Sequence, residues 1–120
     1  MKLTRRTAQV KKKHGIKLWV YPIKRKEAGV AYVEVAQGHL QEFYDTKSTF
    51  IYYIIEGRGG FYLNGKRVAV KATDLITIPP MTKIYYMGKM KMILTTIPAW
   101  HAKNEVHVRF IKQPKKHASR

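Results

Sequence analysis

Cysteine is absent from this 120-residue chain. Disulfides, thiolate zinc or iron–sulfur sites and a cysteine nucleophile are excluded together, and nothing in the sequence calls for a cofactor. Acidic residues are scarce, 7 Asp+Glu against 24 Lys+Arg, which leaves a net charge of +17. Long apolar runs are missing too: Phe50–Ile55 is among the longest, far short of a membrane span, and the Lys/Arg-rich start leads into no hydrophobic stretch of the kind a secretory signal carries. The lysine run Lys11–Lys13 is of the kind found in membrane-surface patches, but the apolar face of an amphipathic helix is not there. The expectation is a cytoplasmic protein without a membrane partner. No repeat of solenoid length recurs. What is present, 45% apolar and 12% aromatic residues, suffices for one packed core.

The positive charge is segregated. Residues 1–26 hold ten basic side chains and no acid, residues 103–120 hold six against Glu105, and the stretch between is only +2. Basic ends on a nearly neutral body suit a polyanion such as nucleic acid, because each neutralised phosphate releases counterions. The same pattern also serves solubility alone. The polyanion candidates are Arg5, Arg6, Lys11, Lys12, Lys13, Lys115 and Lys116, on a basic arm at 1–14 and a tail at 113–120.

Between Leu18 and Pro98 short strand-like segments alternate with turn residues, and no window carries a helical stripe. Phe50–Ile55 is apolar on both faces, so it should be covered on both sides. Asn64-Gly65 predicts a two-residue hairpin needing positive φ at both positions. Pro79-Pro80 stops the strand Leu75–Ile78, and Val106, Val108 and Phe110 predict a further strand over 105–111, paired with Leu18–Val20 or with a second subunit. The fold class is all-β, a barrel or sandwich.

From Gly38 to Ile97 the chain resembles a small single-domain cupin. Tyr52-Tyr53-Ile54-Ile55-Glu56-Gly57-Arg58-Gly59 is similar to the strand and Glu-Gly-x-Gly turn of that family, while Asn64-Gly65-Lys66 and Asp74–Pro80 resemble the next hairpin and the strand into the second motif. The resemblance implies a double-stranded β-helix (jelly-roll) barrel over 15–112 and a homodimer. It does not carry the family's metal. On the shorter spacing of the first motif, anchored on Gly38 and Gly57, the histidine positions are Tyr44 and Thr46 and the glutamate position is Phe50; the second motif's histidine is Ile84. The longer spacing puts Phe43 and Asp45 at the histidine positions and Gln37 at the opening glycine, and fits no better. Three or four donors must converge on a divalent ion, and Phe50 and Ile84 offer none. The tight pair His39-x-x-Glu42 should face opposite ways on a strand.

On this register Tyr44, Thr46, Phe50, Tyr52, Ile84 and Tyr86 face the interior, as the wall of a pocket for a small, sugar-like ligand or as a filled core. Trp100 either plugs one barrel end or offers a stacking surface. The residues carry furthest a metal-free binding module, non-catalytic or weakly so, with basic ends for a polyanion. The alternatives are a metal-independent sugar or nucleotide-sugar isomerase, epimerase or small-molecule binder using the interior, and a structural homodimeric scaffold. For catalysis by Tyr44, Tyr52 or Tyr86 a neighbour such as Lys83 would have to move a pKa of about 10 toward neutrality.

Overall fold

The computed structural model describes residues 1–112 and is almost entirely antiparallel β. After a short 3-10 helix, Arg5–Thr7, the strands run β1 Gln9–Lys13, β2 Ile16–Val20, β3 Gly29–Val35, β4 Gly38–Asp45, β5 Thr49–Leu63, β6 Lys66–Lys71, β7 Leu75–Ile78, β8 Ile84–Met87, β9 Met90–Ile97 and β10 Glu105–Phe110. One face of the barrel is β1-β2-β3-β9-β5-β7, and the other is β6-β5-β8-β4-β10. Among the described residues no helix is long and apolar enough to cross a membrane.

Strand β5 belongs to both faces. Its first half pairs with β7 and β9, its second half with β6 and β8, and the register slips between Ile54 and Glu56. Gly57 (φ +89°) makes the bend: a Cβ there would collide with the Lys89 carbonyl. The Asn64-Gly65 hairpin has φ +51° and +83°, as its turn type demands.

Alternation divides each strand between core and solvent. In β2 and β3, Ile16, Leu18, Ala31, Val33 and Val35 point inward and are buried. Trp19 and Tyr32 lie opposite each other in the register, and the Arg5 guanidinium covers them, 4.9 and 4.6 Å from the two ring centroids. The segment expected to be a loose arm is therefore partly built into the barrel. Residues 9–13 form an edge strand on β2, which the lysine run conceals because it has no apolar alternation. Strand β10 pairs with β4, correcting the expected partner Leu18–Val20, which is already flanked by β1 and β3. Lys115 and Lys116 lie outside the described residues.

Candidate active site

The barrel interior is a cavity of about 210 Å³. Its deep wall is a chain of aromatic rings. Phe43 and Phe50 have centroids 5.8 Å apart, Phe50 and Tyr52 6.2 Å, and Tyr52 and Tyr86 meet edge-on at 5.6 Å. Phe61 packs behind the two tyrosines, fully buried, at 4.9 and 4.7 Å. Leu18, Val20, Ala31 and Leu94 complete an apolar lining.

One imidazole enters this wall. His39, 3% exposed, lies 5.1 Å from Phe43 and 5.4 Å from Tyr86 by ring centroid. Its Nδ1 is 2.7 Å from the Gln41 carbonyl oxygen, which can only accept, so Nδ1–H donates and Nε2 carries the lone pair. Burial lowers the His39 pKa to about 4, with the positive charges of Lys13 and His14 adding to the fall and the Gln41 hydrogen bond opposing it. At neutral pH the ring is a neutral base. The phenols move the other way: burial pushes Tyr52 well above its ordinary value, with Tyr86 adding to the rise, and burial raises Tyr86, with Tyr52 partly offsetting it. Both hydroxyls therefore keep their protons and act as hydrogen-bond donors.

The mouth is polar. Trp100 Nε1–H donates to Glu105 Oε1 at 2.9 Å, Lys13 Nζ lies 3.7 Å from Glu105 Oε2, and the ammoniums of Lys11 and Lys13 sit 4.8 and 5.3 Å from the Trp100 ring centroid. The β2–β3 connection, residues 21–28, folds over the opening, and Ala99 N–H ties it down by donating to the Lys26 carbonyl at 3.0 Å. Trp100 neither plugs the barrel nor stands apart from it; it lines the mouth.

Of the six interior candidates, Phe50, Tyr52 and Tyr86 line the cavity. Ile84 is buried in the core but does not reach it. Tyr44 and Thr46 are placed elsewhere, a correction with a local cause. Odd-numbered His39 and Phe43 of β4 point inward, so Tyr44 faces away beside Val106. The strand then ends at Asp45, whose Oδ1 accepts from the backbone N–H groups of Lys47 and Ser48 at 2.8 and 2.7 Å, and Thr46 hydrogen-bonds to the Asn104 carbonyl instead. The longer motif spacing, with Phe43 at the first histidine position, is the one whose residue enters the cavity. Lys83 is exposed and tied to Asn64 through its backbone. His39 and Glu42 do part, Glu42 accepting from Arg109 Nε–H at 2.8 Å away from the cavity.

Of the basic candidates, Arg5 covers Trp19 and Tyr32, Arg6 and Lys12 are exposed, and Lys11 and Lys13 join the cavity mouth. Sequence reasoning missed His39, Phe43 and Glu105 as cavity residues and assigned Lys13 to a polyanion surface alone. The signal for His39 was its place immediately after Gly38, one position from the start of the strand that carries the family's first motif. A metal fits this lining poorly: the wall offers one imidazole with Nδ1 already committed, and among the described residues no group of three His, Asp or Glu side chains converges.

Residues 32–87 match the family model of the AraC-like ligand-binding domain. No curated protein matches. Among solved structures, Streptomyces Pac13, described as a unique nucleoside dehydratase, is 46% identical over 93% of both chains with a TM-score of 0.92. This chain belongs to the cupin superfamily. More distant cupin-type structures share the fold alone: KdgF from Halomonas sp. is 13% identical with a TM-score of 0.71 over 86% of this chain and 96% of that one. An RmlC-like cupin from Shewanella frigidimarina is 17% identical with a TM-score of 0.64 over 82% and 96%. Pac13 has also been solved with uridine in three variants, one replacing a histidine by glutamine and two replacing a tyrosine by phenylalanine. Those three positions are separated by 13 and then 34 residues, as are His39, Tyr52 and Tyr86 in this cupin.

Proposed function

We propose that this cupin removes water from a nucleoside-type substrate held in the barrel, with His39 as the base. The observation that carries this reading is a buried, neutral imidazole whose free Nε2 shares an apolar cavity with two phenols that cannot ionise. The matching separations in Pac13 support it. A base whose conjugate acid has a pKa near 4 is weak, so the carbon it deprotonates must be acidified by a neighbouring carbonyl. His39 Nε2 takes that proton, the electron pair forms the carbon–carbon double bond, and the β-hydroxyl leaves. The imidazolium, a strong acid in this site, returns the proton to the departing oxygen, so one water is released and His39 ends as it began. Tyr52 and Tyr86 donate hydrogen bonds to oxygens that gain charge.

Mass spectrometry of a carbonyl-bearing uridine derivative tests this directly. The expected results are loss of one water with the native chain, no turnover with His39→Gln, and a drop of about a hundredfold with Tyr52→Phe or Tyr86→Phe. Full activity in His39→Gln would overturn the assignment. The sugar isomerase or epimerase considered from the sequence uses the same proton abstraction but conserves mass, so the product separates the two. The nucleic-acid reading gains no support of this kind, since Lys11 and Lys13 face the small cavity.

A further inference from the structure

The outer side of one barrel face lacks the charge that fills the rest of the sequence. Strand pairing sets Trp19, Tyr32, Ile93, Tyr53 and Leu75 next to one another across β2, β3, β9, β5 and β7, on the side turned away from the cavity. The next row on the same side reads Thr95, Ile51 and Thr77 across β9, β5 and β7. Neither row holds a charged side chain, in a molecule with 24 Lys+Arg. One end of the first row is covered: Arg5 lies over Trp19 and Tyr32, each only 8% exposed. The other end is open, with Tyr53 40%, Ile55 44% and Leu75 59% exposed. A contiguous apolar patch of this kind marks a contact surface, and residues 113–120 bring no large apolar side chain that could cover it.

A charged row borders the patch. Lys17, Glu34, Lys91 and Glu56 are neighbours across β2, β3, β9 and β5, alternating in sign. Lys91 and Glu56 form an ion pair of 3.9 Å between exposed side chains, which within one chain contributes little. The order of the signs matters more. A two-fold axis running along the strands between β9 and β5 reverses every row, so it sets Lys91 against Glu56 of a second copy and Glu56 against that copy's Lys91. The same operation lays Tyr53 on Ile93 and brings Leu75 to the rim where the second copy's Arg5 covers Tyr32. Charged row and apolar row thus each meet their complement, as a self-complementary two-fold contact requires. Two chains of net charge +17 repel, so they can meet only through a surface clear of unpaired cations, and this face is one.

We infer that this face is the surface through which two copies of the chain associate, with the two-fold axis along the strands between β9 and β5. The family resemblance leaves both the surface and its symmetry open. The inference is independent of the nucleoside reading, because the face lies outside the barrel wall.

Sedimentation velocity of the full chain at physiological salt, over concentrations up to about 0.1 mM, tests this. The expected result is a monomer–dimer equilibrium that Tyr53→Lys/Leu75→Lys weakens at least about tenfold, with a native near-ultraviolet circular dichroism spectrum. The charged row supplies a second test that a folding defect does not imitate. Lys91→Glu alone and Glu56→Lys alone should each dimerise at least about tenfold more weakly than the native chain, because the axis then opposes like charges. An equal mixture of those two variants should recover the dimer, because every opposed pair in the mixed dimer is of unlike sign. A native chain that stays monomeric, a dimer that survives Tyr53→Lys/Leu75→Lys, or a mixture that associates no better than its components would each overturn the inference.

Discussion

His39 joins two properties that seldom coexist in a surface histidine: it is almost fully buried, and its tautomer is set by a main-chain acceptor. Both have consequences for stability. The unfolded chain takes up a proton near the ordinary value of 6.5, whereas the folded chain resists until about 4. Between those values the unfolded state binds more protons, so stability is complete above about pH 6.5 and falls as pH is lowered through the window, by about 3 kcal/mol in all. Urea denaturation at a series of pH values should show that slope in the native chain and a flatter one in His39→Gln. In turnover, the acid limb of kcat/KM for the free enzyme should lie near 4. The tyrosines read differently at this scale. Their identity and inward direction followed from alternation along β5 and β8, but their raised pKa values come from Phe61 and the closed barrel behind them, which no local pattern displays.

At the scale of elements, β5 organises the molecule. Its 15 residues pass from one face of the barrel to the other, and Gly57 is where the passage happens. Gly57→Ala must place a Cβ against the Lys89 carbonyl in a left-handed conformation, and a loss of about 2 kcal/mol or more is expected in a urea titration. Gly65→Ala makes a useful control, since it shares the positive φ but has open space around the added methyl. The Glu-Gly-x-Gly turn that marked the family is this same bend, so the strongest signal in the sequence coincides with the strongest backbone constraint. The weaker signals failed for physical reasons. Strand β1 is written in lysines because, as an edge strand, it presents one side to water and offers the cavity mouth the other. The face of β4 turned on one residue: taking Tyr44 as inward inverted the strand, and a one-residue slip exchanges every side chain between core and surface. The histidine thereby passed over was His39, which the correct face places beside Tyr86.

Taken as a whole, the molecule distributes its charge less simply than a neutral barrel with basic arms. Arg5 covers the Trp19 and Tyr32 rings, Lys17 lies over Trp19, and Lys11 and Lys13 belong to the cavity. With a net charge of +17 on 120 residues, self-repulsion opposes the compact state. Added salt screens it, since the Debye length falls to about 8 Å at physiological ionic strength. The melting temperature in differential scanning fluorimetry should therefore rise from low salt to about 0.3 M sodium chloride. A melting temperature that falls over that range would mean that the ion pairs, few and mostly exposed, outweigh the repulsion.

In the proposed function a neutral His39 imidazole with a free Nε2 meets a nucleoside inside the barrel. Nitrogen-15 NMR of the ring, titrated with pH and then with uridine, tests it most directly. The expected spectrum at pH 7 is a neutral ring with the proton on Nδ1, a protonation midpoint near 4, and a shift of the Nε2 resonance as uridine is added. A ring that protonates near 6.5, or an Nε2 signal indifferent to saturating uridine, would contradict the account.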